Sequence, residues 1–335
     1  MAMTPEVSVV IPTHDRRAMV CEAVASVLAQ RAVSPESIEP FELFELIVVD
    51  DGSTDGTFDN LSRLVAGRAS GRAEPFPLIR IERIQHRGPA AARNRGVARA
   101  RAPLIAFLDS DDLWAPAKLD RQLAFMRANP DCAIAQTQEL WIRNGGRVNP
   151  GRRHRKRGGD IYIDSLRTCL ISNSAVMIRT DLFRALGGFD ETMAAAEDYD
   201  LWLRILVDHD AGLVDEYLVT RRAGHADQLS ATMTAIDRYR ILALAKMLAD
   251  PKLGGEKREA TAQVFAEKCG IYAKGLRRRG RADDARLYEQ SAAHALAQWR
   301  LHPDDALASA TASLRAVLED ERGGVGVPAR RNGGQ

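Results

Sequence analysis

The chain has 335 residues, 45% hydrophobic and 27% charged, which are the proportions of an ordinary globular protein long enough for one large α/β domain with an appendage, or for two domains. Its formal net charge of +2 supplies no global field for nucleic acid, so a nucleic-acid partner is not expected. Four cysteines (Cys21, Cys132, Cys169, Cys269) form no Cys-x-x-Cys pair, which excludes zinc and dithiol motifs. Cys21 and Cys132 lie among apolar residues and read as small core residues. No signal-peptide pattern opens the chain and no apolar run approaches about 18 residues, so a cytoplasmic location with reduced thiols is expected.

Residues 7–11 (Val-Ser-Val-Val-Ile) read as a strand ended by Pro12. Over 16–30, Met19, Val20, Ala23, Val24, Val27 and Leu28 recur at helical spacing. A second strand over 44–49 runs into Asp50-Asp51-Gly52-Ser53-Thr54-Asp55-Gly56-Thr57, where Gly52 permits a tight turn and Ser53 or Thr54 can cap the helix that follows. Breakers make 67–77 a loop, 78–84 reads as a third strand and 90–101 as an Ala/Arg-rich helix. Strands alternating with helices imply βαβ units and a parallel sheet.

Residues 104–113 (Leu-Ile-Ala-Phe-Leu-Asp-Ser-Asp-Asp-Leu) are an apolar strand that stops at Asp109, Asp111 and Asp112. Open α/β sheets bind ligands at the carboxyl ends of their strands. Three crowded carboxylates repel one another unless a cation or donors neutralise them, and hard oxygen ligands suit Mg²⁺ or Mn²⁺. The pattern therefore points to a divalent ion carrying phosphates, against the plainer reading of a solvated acidic turn. Beyond it come a helix over 118–128, strands over 133–142 and 174–178, a short helix that Thr180 can cap, ending at Gly187-Gly188, and a helix over 200–207. From residue 236 the pattern is all helix-forming, with breaks at 250–255, 279–280 and 302–303, and the Gly/Arg-rich end reads as a disordered tail. The division this suggests is 1–234, then a helical region over 235–320, then a tail over 321–335.

Neither Gly-x-Gly-x-x-Gly nor Gly-x-x-x-x-Gly-Lys-Ser/Thr occurs, so phosphate handling falls to a metal and to basic side chains such as Arg93. At the second strand end, one carboxylate of Asp50-Asp51 can accept from a base N–H or from ribose hydroxyls. Glu197 and Asp198 begin a helix, where carboxylates are favoured electrostatically; one of them can also serve as a general base toward an acceptor hydroxyl. Residues 221–230, with Arg221, Arg222 and His225, read as a polar loop able to close over a diphosphate. The basic stretch 147–157 is either a solvated loop or a patch for an anionic acceptor or membrane surface, which would allow peripheral contact with the inner face of the cytoplasmic membrane.

Six segments then occur in a telling order: Val-Ser-Val-Val-Ile-Pro-Thr-His-Asp-Arg (7–16), Glu-Leu-Ile-Val-Val-Asp-Asp-Gly-Ser-Thr-Asp (45–55), Ala-Arg-Asn-Arg-Gly (92–96), Phe-Leu-Asp-Ser-Asp-Asp (107–112), Gly-Gly-Phe-Asp-Glu (187–191) and Glu-Asp-Tyr-Asp-Leu-Trp-Leu-Arg (197–204). Together they resemble family-2 glycosyltransferases, the inverting, nucleotide-sugar-dependent type with the GT-A fold, over residues 5–232. The resemblance implies an α/β fold whose mostly parallel sheet is flanked by helices, with a nucleotide-binding half over about 5–114, an acceptor half over about 115–234 and an all-helical C-terminal appendage outside the family core. It implies that Pro12, Thr13, His14, Asp15, Asp51, Arg93, Asp109, Ser110, Asp111, Glu197 and His225 surround a nucleotide-sugar, with Asp51 on the base, that Asp111 and Asp112 ligate Mn²⁺ or Mg²⁺, and that Asp198 is the catalytic base. It further implies a glycan or lipid-linked acceptor; the C-terminal helices leave self-association open. The family commonly has Tyr-Asn where this chain has His14-Asp15, which changes the contact that stacks on the base.

Two rival readings remain open. A haloacid-dehalogenase-like phosphatase also places Asp-x-Asp after a strand, but it expects Thr or Val where Leu113 stands and carries the motif near its start. A catalytically silent scaffold of the same fold would bind nucleotide without turnover.

Overall fold

The computed structural model describes residues 5–32, 44–69, 77–149, 151, 154–224 and 236–298. Its described strands form one nine-stranded sheet. The first half is built from βαβ units. Strands β1 (Val7–Thr13), β2 (Phe44–Asp51), β3 (Leu78–Ile84) and β4 (Leu104–Phe107) are mutually parallel in the order β3-β2-β1-β4. Helices α1 (Arg17–Leu28), α2 (Thr57–Ala69) and α3 (Pro89–Arg99) make the crossovers. β1, β2 and β4 are buried along their whole length, which is why they read as unbroken apolar runs rather than alternating ones. Helix α1 buries Val20, Ala23, Val24 and Val27 in the core that holds Val7, Val9 and Ile11.

Between β1 and β4 the strand order reverses, and such a switch point opens a crevice at the carboxyl ends of the strands. The register delivers three chemically rich ends to that crevice. Thr13 lies beside Asp50, with Asp51 next, and β4 pairs with β1 just before Asp109.

In the second half the sheet becomes mixed. β4 pairs antiparallel with β8 (Val176–Arg179), and β8 pairs antiparallel with β6 (Ile134–Arg143). β6 pairs parallel with the long β9 (Ala211–Ala223), which carries the two-residue β5 (Leu113–Trp114) at the edge. The hairpin strand β7 (Gly146–Val148) also joins β6. Helices α4 (Lys118–Ala128), α5 (Tyr162–Ser165), α6 (Thr180–Ala185) and α7 (Glu197–Leu206) complete the first compact unit, Met1–Thr234.

Several local expectations change. Thr180 does not cap α6; its hydroxyl donates to the Ala102 carbonyl at 2.8 Å instead. The cap before α2 falls to Asp55, which accepts the Thr57 N–H at 2.9 Å, while Ser53 and Thr54 turn toward Asp50 and Asp15. Residues 221–223 belong to β9 rather than to a loop. Cys21 and Cys132 are half-buried and flank the core instead of filling it. Part of the basic stretch 147–157 is strand β7, and Lys156 within it is only 4% exposed. Arg155 and Arg157, both exposed, face Asp215 and Asp164 at 3.5 and 2.8 Å, while Arg152 and Arg153 lie outside the described residues.

The second unit, Ala235–Gln335, is described through helices α8 (Asp237–Leu248), α9 (Gly255–Arg278) and α10 (Ala282–Gln298). α9 packs on both neighbours, with Tyr272 edge-on to Tyr288 at 4.9 Å. Its breaks fall at Pro251 to Gly254 and at Gly280, where the sequence places them. The break expected at 302–303 and the tail 321–335 lie outside the described residues. Among the described residues, no helix is long and apolar enough to cross a membrane.

Candidate active site

The turn after β4 holds Asp109, Asp111 and Asp112 so that one ligand oxygen from each lies within 4.8 Å of the others. Each carboxylate has its own donor. Asp109 faces the Arg93 guanidinium at 2.7 Å, and Asp111 faces Arg16 at 2.8 Å. Asp112 is buried, accepting the Ser174 hydroxyl at 2.6 Å and the Arg222 backbone N–H at 2.9 Å. Burial, with Asp111 and Asp109 alongside, pushes the Asp112 carboxyl well above the usual carboxylate range. Three converging carboxylates, one of them driven toward its protonated form by burial and then by its neighbours, are a donor set a hard divalent cation would relieve, so Mn²⁺ or Mg²⁺ fits these residues.

Arg93 ties this cluster to the start of α7. One nitrogen lies 2.7 Å from Asp109, and another lies 2.7 Å from Glu197. Burial works against its charge, but Asp109, Glu197 and Asp198 outweigh that and hold the guanidinium ionised. The Glu197 carboxyl is raised by burial and by Asp198, with Arg93 opposing. Glu197 is therefore spent on an ion pair rather than on the helix end. Asp198 is only half-buried, and its Oδ1 accepts the Tyr199 N–H at 2.7 Å. Ala196 precedes them at φ 58°, a left-handed conformation that a side chain adopts at a cost of about 1 kcal/mol or more. Such strain at the entrance to two acids is a mark of a functional site. From β9, the Arg221 guanidinium lies over the Trp141 ring at 4.8 Å and feels Glu139, Asp112, Asp109 and Asp198 together, which keeps it charged despite burial. Arg93 thus ties the acid turn after β4 to the first residue of α7, beside Asp198.

At the ends of β1 and β2, the adjacent acids divide their work. Asp50 accepts from Ser53 and lies 3.4 Å from Arg83, which makes it a structural residue of the turn. Asp51 is buried and accepts the backbone N–H groups of Arg87 and Gly88, each at 2.8 Å. His86 lies against the same carboxylate at 2.9 Å, and the His14 and His86 rings stack with centroids 4.0 Å apart. Asp15 accepts the Thr54 N–H at 2.7 Å and donates its own N–H to Ser53, closing the two turns on each other. Pro12 is in register with Val49 inside the sheet, and Ser110 is buried in the acid turn. The Thr13 hydroxyl is buried with no hydrogen-bond partner.

Thr13 and Asp51 end β1 and β2, with His14 and Asp15 just after β1; Asp109, Asp111 and Asp112 cluster after β4, paired to Arg93 and Arg16, and Arg93 reaches on to Glu197. His225 lies outside the described residues. Ser174, Arg16 and His86 were not named as site residues: Ser174 and His86 stand in no recognisable pattern, and Arg16, though it closes the first motif, acts through Asp111, far along the chain. Ser174 is the clearest case, its hydroxyl holding Asp112 and accepting the Asp109 N–H at 3.1 Å.

The sequence profile of glycosyl transferase family 2 matches residues 8–186. An uncharacterized glycosyltransferase of Rickettsia felis is 32% identical over 213 residues, which are 64% of this chain and 32% of that protein, so the chain matches only about a third of that relative's length. The succinoglycan biosynthesis protein ExoU of Rhizobium meliloti is 29% identical over 265 residues, covering 72% of this chain and 68% of that one. Among solved structures, S. aureus TarS 1–349 in complex with UDP-GlcNAc superimposes with a TM-score of 0.61 at 18% identity, covering 95% of this chain and 92% of that one, and so shares its GT-A-type fold. With a profile match over more than half its length, the chain belongs to glycosyl transferase family 2.

Proposed function

We propose that the chain transfers a sugar from a UDP-linked donor to a hydroxyl of a glycan or lipid-linked acceptor, with inversion at the anomeric carbon. The observation that carries this reading is the double ion pair of Arg93, which holds the acid turn after β4 and the acids of α7 at opposite ends of one guanidinium. The nucleoside would lie at the ends of β1 and β2, between Pro12, Thr13, His14 and Asp15, with the Asp51 carboxylate toward the base. Thr13 offers a buried hydroxyl that lacks a partner. The ribose and diphosphate would extend toward Asp109 and Ser110. Asp111 and Asp112 would hold Mn²⁺ or Mg²⁺, which when bound supplies Lewis-acid stabilisation to the diphosphate oxygens.

Asp198 would take the proton of the acceptor hydroxyl, and that oxygen would attack the anomeric carbon from the face opposite the diphosphate. Glu197, already committed to Arg93, is less suited to the role. Arg221, held over the Trp141 ring, is a charged donor that could meet the negative charge growing on the leaving group. One base and one stabilised leaving group suffice for a single displacement, whereas glycosidases place two carboxyl groups about the bond. The TarS structure with UDP-GlcNAc supports a UDP donor, and the naming of ExoU for succinoglycan biosynthesis supports a polysaccharide-type acceptor.

The test is turnover in the Asp198→Asn variant. UDP release from a panel of UDP-sugars with Mn²⁺ and acceptor should fall by about 10²-fold or more while donor affinity stays within a few-fold of wild type. Equal turnover in the two proteins would remove Asp198 from the chemistry.

A further inference from the structure

We infer that Glu139 and Trp141 are positioning residues: Glu139 fixes the Trp141 indole, and the indole presents the Arg221 guanidinium, its donors free, to an anionic ligand. This rests on the proposed function in taking that ligand to be the donor's diphosphate. The guanidinium of the partly buried Arg221 lies over the Trp141 ring at 4.8 Å, and among the described residues it has no hydrogen bond and no ion pair. Arginine carries its N–H donors in a rigid fork that matches phosphate oxygens. Stacking on a ring sets the plane of that fork without using any of its donors. A partly buried guanidinium whose donors have no protein partner calls for a ligand to satisfy them.

The sheet itself brings the two side chains together. β6 and β9 run parallel with Thr137 opposite Val214, but register shifts follow, so that Glu139 falls opposite Val219 and Trp141 opposite Arg221. An unbroken register would set Leu218 beside Trp141 instead. Irregularities of this kind re-aim side chains and gather next to active sites. The indole is then held at its edge and packed from a further side: its Nε1–H donates to the Glu139 carboxylate at 3.1 Å, and the His154 ring lies 5.3 Å away at 48°. Glu139 is braced in turn. It is buried, accepts the Ser172 hydroxyl and lies 3.5 Å from the Lys156 ammonium, which donates to the Leu170 carbonyl at 2.8 Å and to Ser172 at 3.2 Å. Burial opposes the charge on Glu139, but Lys156 and Arg221 overcome it and keep the carboxyl below its usual range. Apolar residues of similar shape would fill this space at no loss of stability, so a buried ion pair here is better explained by the orientation it imposes on the ring.

The experiment is a double-mutant cycle on the full-length protein, read by calorimetric titration of UDP and, separately, of inorganic pyrophosphate, each with Mn²⁺. Thermal melts show that each variant folds. Trp141→Leu and Arg221→Ala should each weaken binding by about tenfold, and the double variant should bind within about twofold of Arg221→Ala alone, because the indole acts through the guanidinium. Glu139→Gln alone would strand the buried Lys156, so Glu139 is tested as the charge-balanced Glu139→Gln/Lys156→Met variant, which should show the same lack of additivity with Arg221→Ala. A ring that serves only the fold would instead give losses that add, and additive losses overturn the inference, as does wild-type affinity in Trp141→Leu or in Arg221→Ala. UDP bound normally with additive losses removes this inference and leaves the proposed function standing. Coupled losses on pyrophosphate, with UDP bound no better than pyrophosphate, keep the positioning roles and count against the nucleoside placement.

Discussion

Lys118 opens α4 with its side chain fully buried, its ammonium 3.7 Å from the centre of the Trp114 ring and no hydrogen-bond partner on its nitrogen. Burial pushes its pKa well below the ordinary lysine value. A lysine whose folded pKa is depressed binds its proton less tightly folded than unfolded. Its contribution is therefore least favourable below the folded pKa and improves as pH rises toward the unfolded value near ~10.4. Lys118→Met, which keeps the length and removes the amine, should raise stability at pH 7 by about 1 kcal/mol or more. The advantage in melting temperature should shrink as pH approaches ~10. An advantage independent of pH, or a loss at neutral pH, would show that the Trp114 contact outweighs the burial. Nothing in the local sequence marks this lysine, because its burial is created by β5 and the chain segments folded over it.

The packing of α3 on β1 explains the glycine of a motif whose arginine, Arg93, belongs to the site. In Ala-Arg-Asn-Arg-Gly, Gly96 faces the sheet, and a Cβ there would lie 2.3 Å from a Val10 methyl. Val10 is buried and stiff at χ1, so it cannot yield cheaply. Gly96→Ala should therefore destabilise by about 1–3 kcal/mol despite the better helix propensity of alanine. The double variant with Val10→Ala should recover part of that loss, as chemical denaturation would show; a neutral Gly96→Ala would mean that the helix shifts freely.

At this scale the legible elements were those that carry their own signal. β1, β2 and β4 are largely apolar, β3 alternates apolar and charged residues, and α1, α4 and α7 repeat at helical spacing. β9 was hidden because Asp215, Glu216 and Tyr217 interrupt Leu213, Val214, Leu218 and Val219, and its pairing with β6 is irregular between Thr137 and Glu139. β5 has only two residues, too few for any period. The candidate site divides the same way. Asp51, Asp109, Asp111, Asp112 and Asp198 stand at strand and helix ends where chemistry is expected, while Ser174, Arg16 and His86 enter only through tertiary pairing.

At the scale of the whole molecule, every residue assigned to the site lies in the unit Met1–Thr234. A chain ending at Thr234 should keep cation-dependent UDP binding within a few-fold of the full chain, measured by calorimetry. Complete loss of binding in a folded truncation would assign the second unit a part in the site. The central claim is that the acid turn after β4, Asp51 and Asp198 serve one nucleotide-sugar. Its most direct test is anomalous diffraction at the manganese edge from crystals grown with UDP and Mn²⁺. The account predicts a manganese peak among Asp109, Asp111 and Asp112, with the diphosphate beside it and the uracil reaching Asp51. A peak or a nucleotide in a different hollow would contradict it.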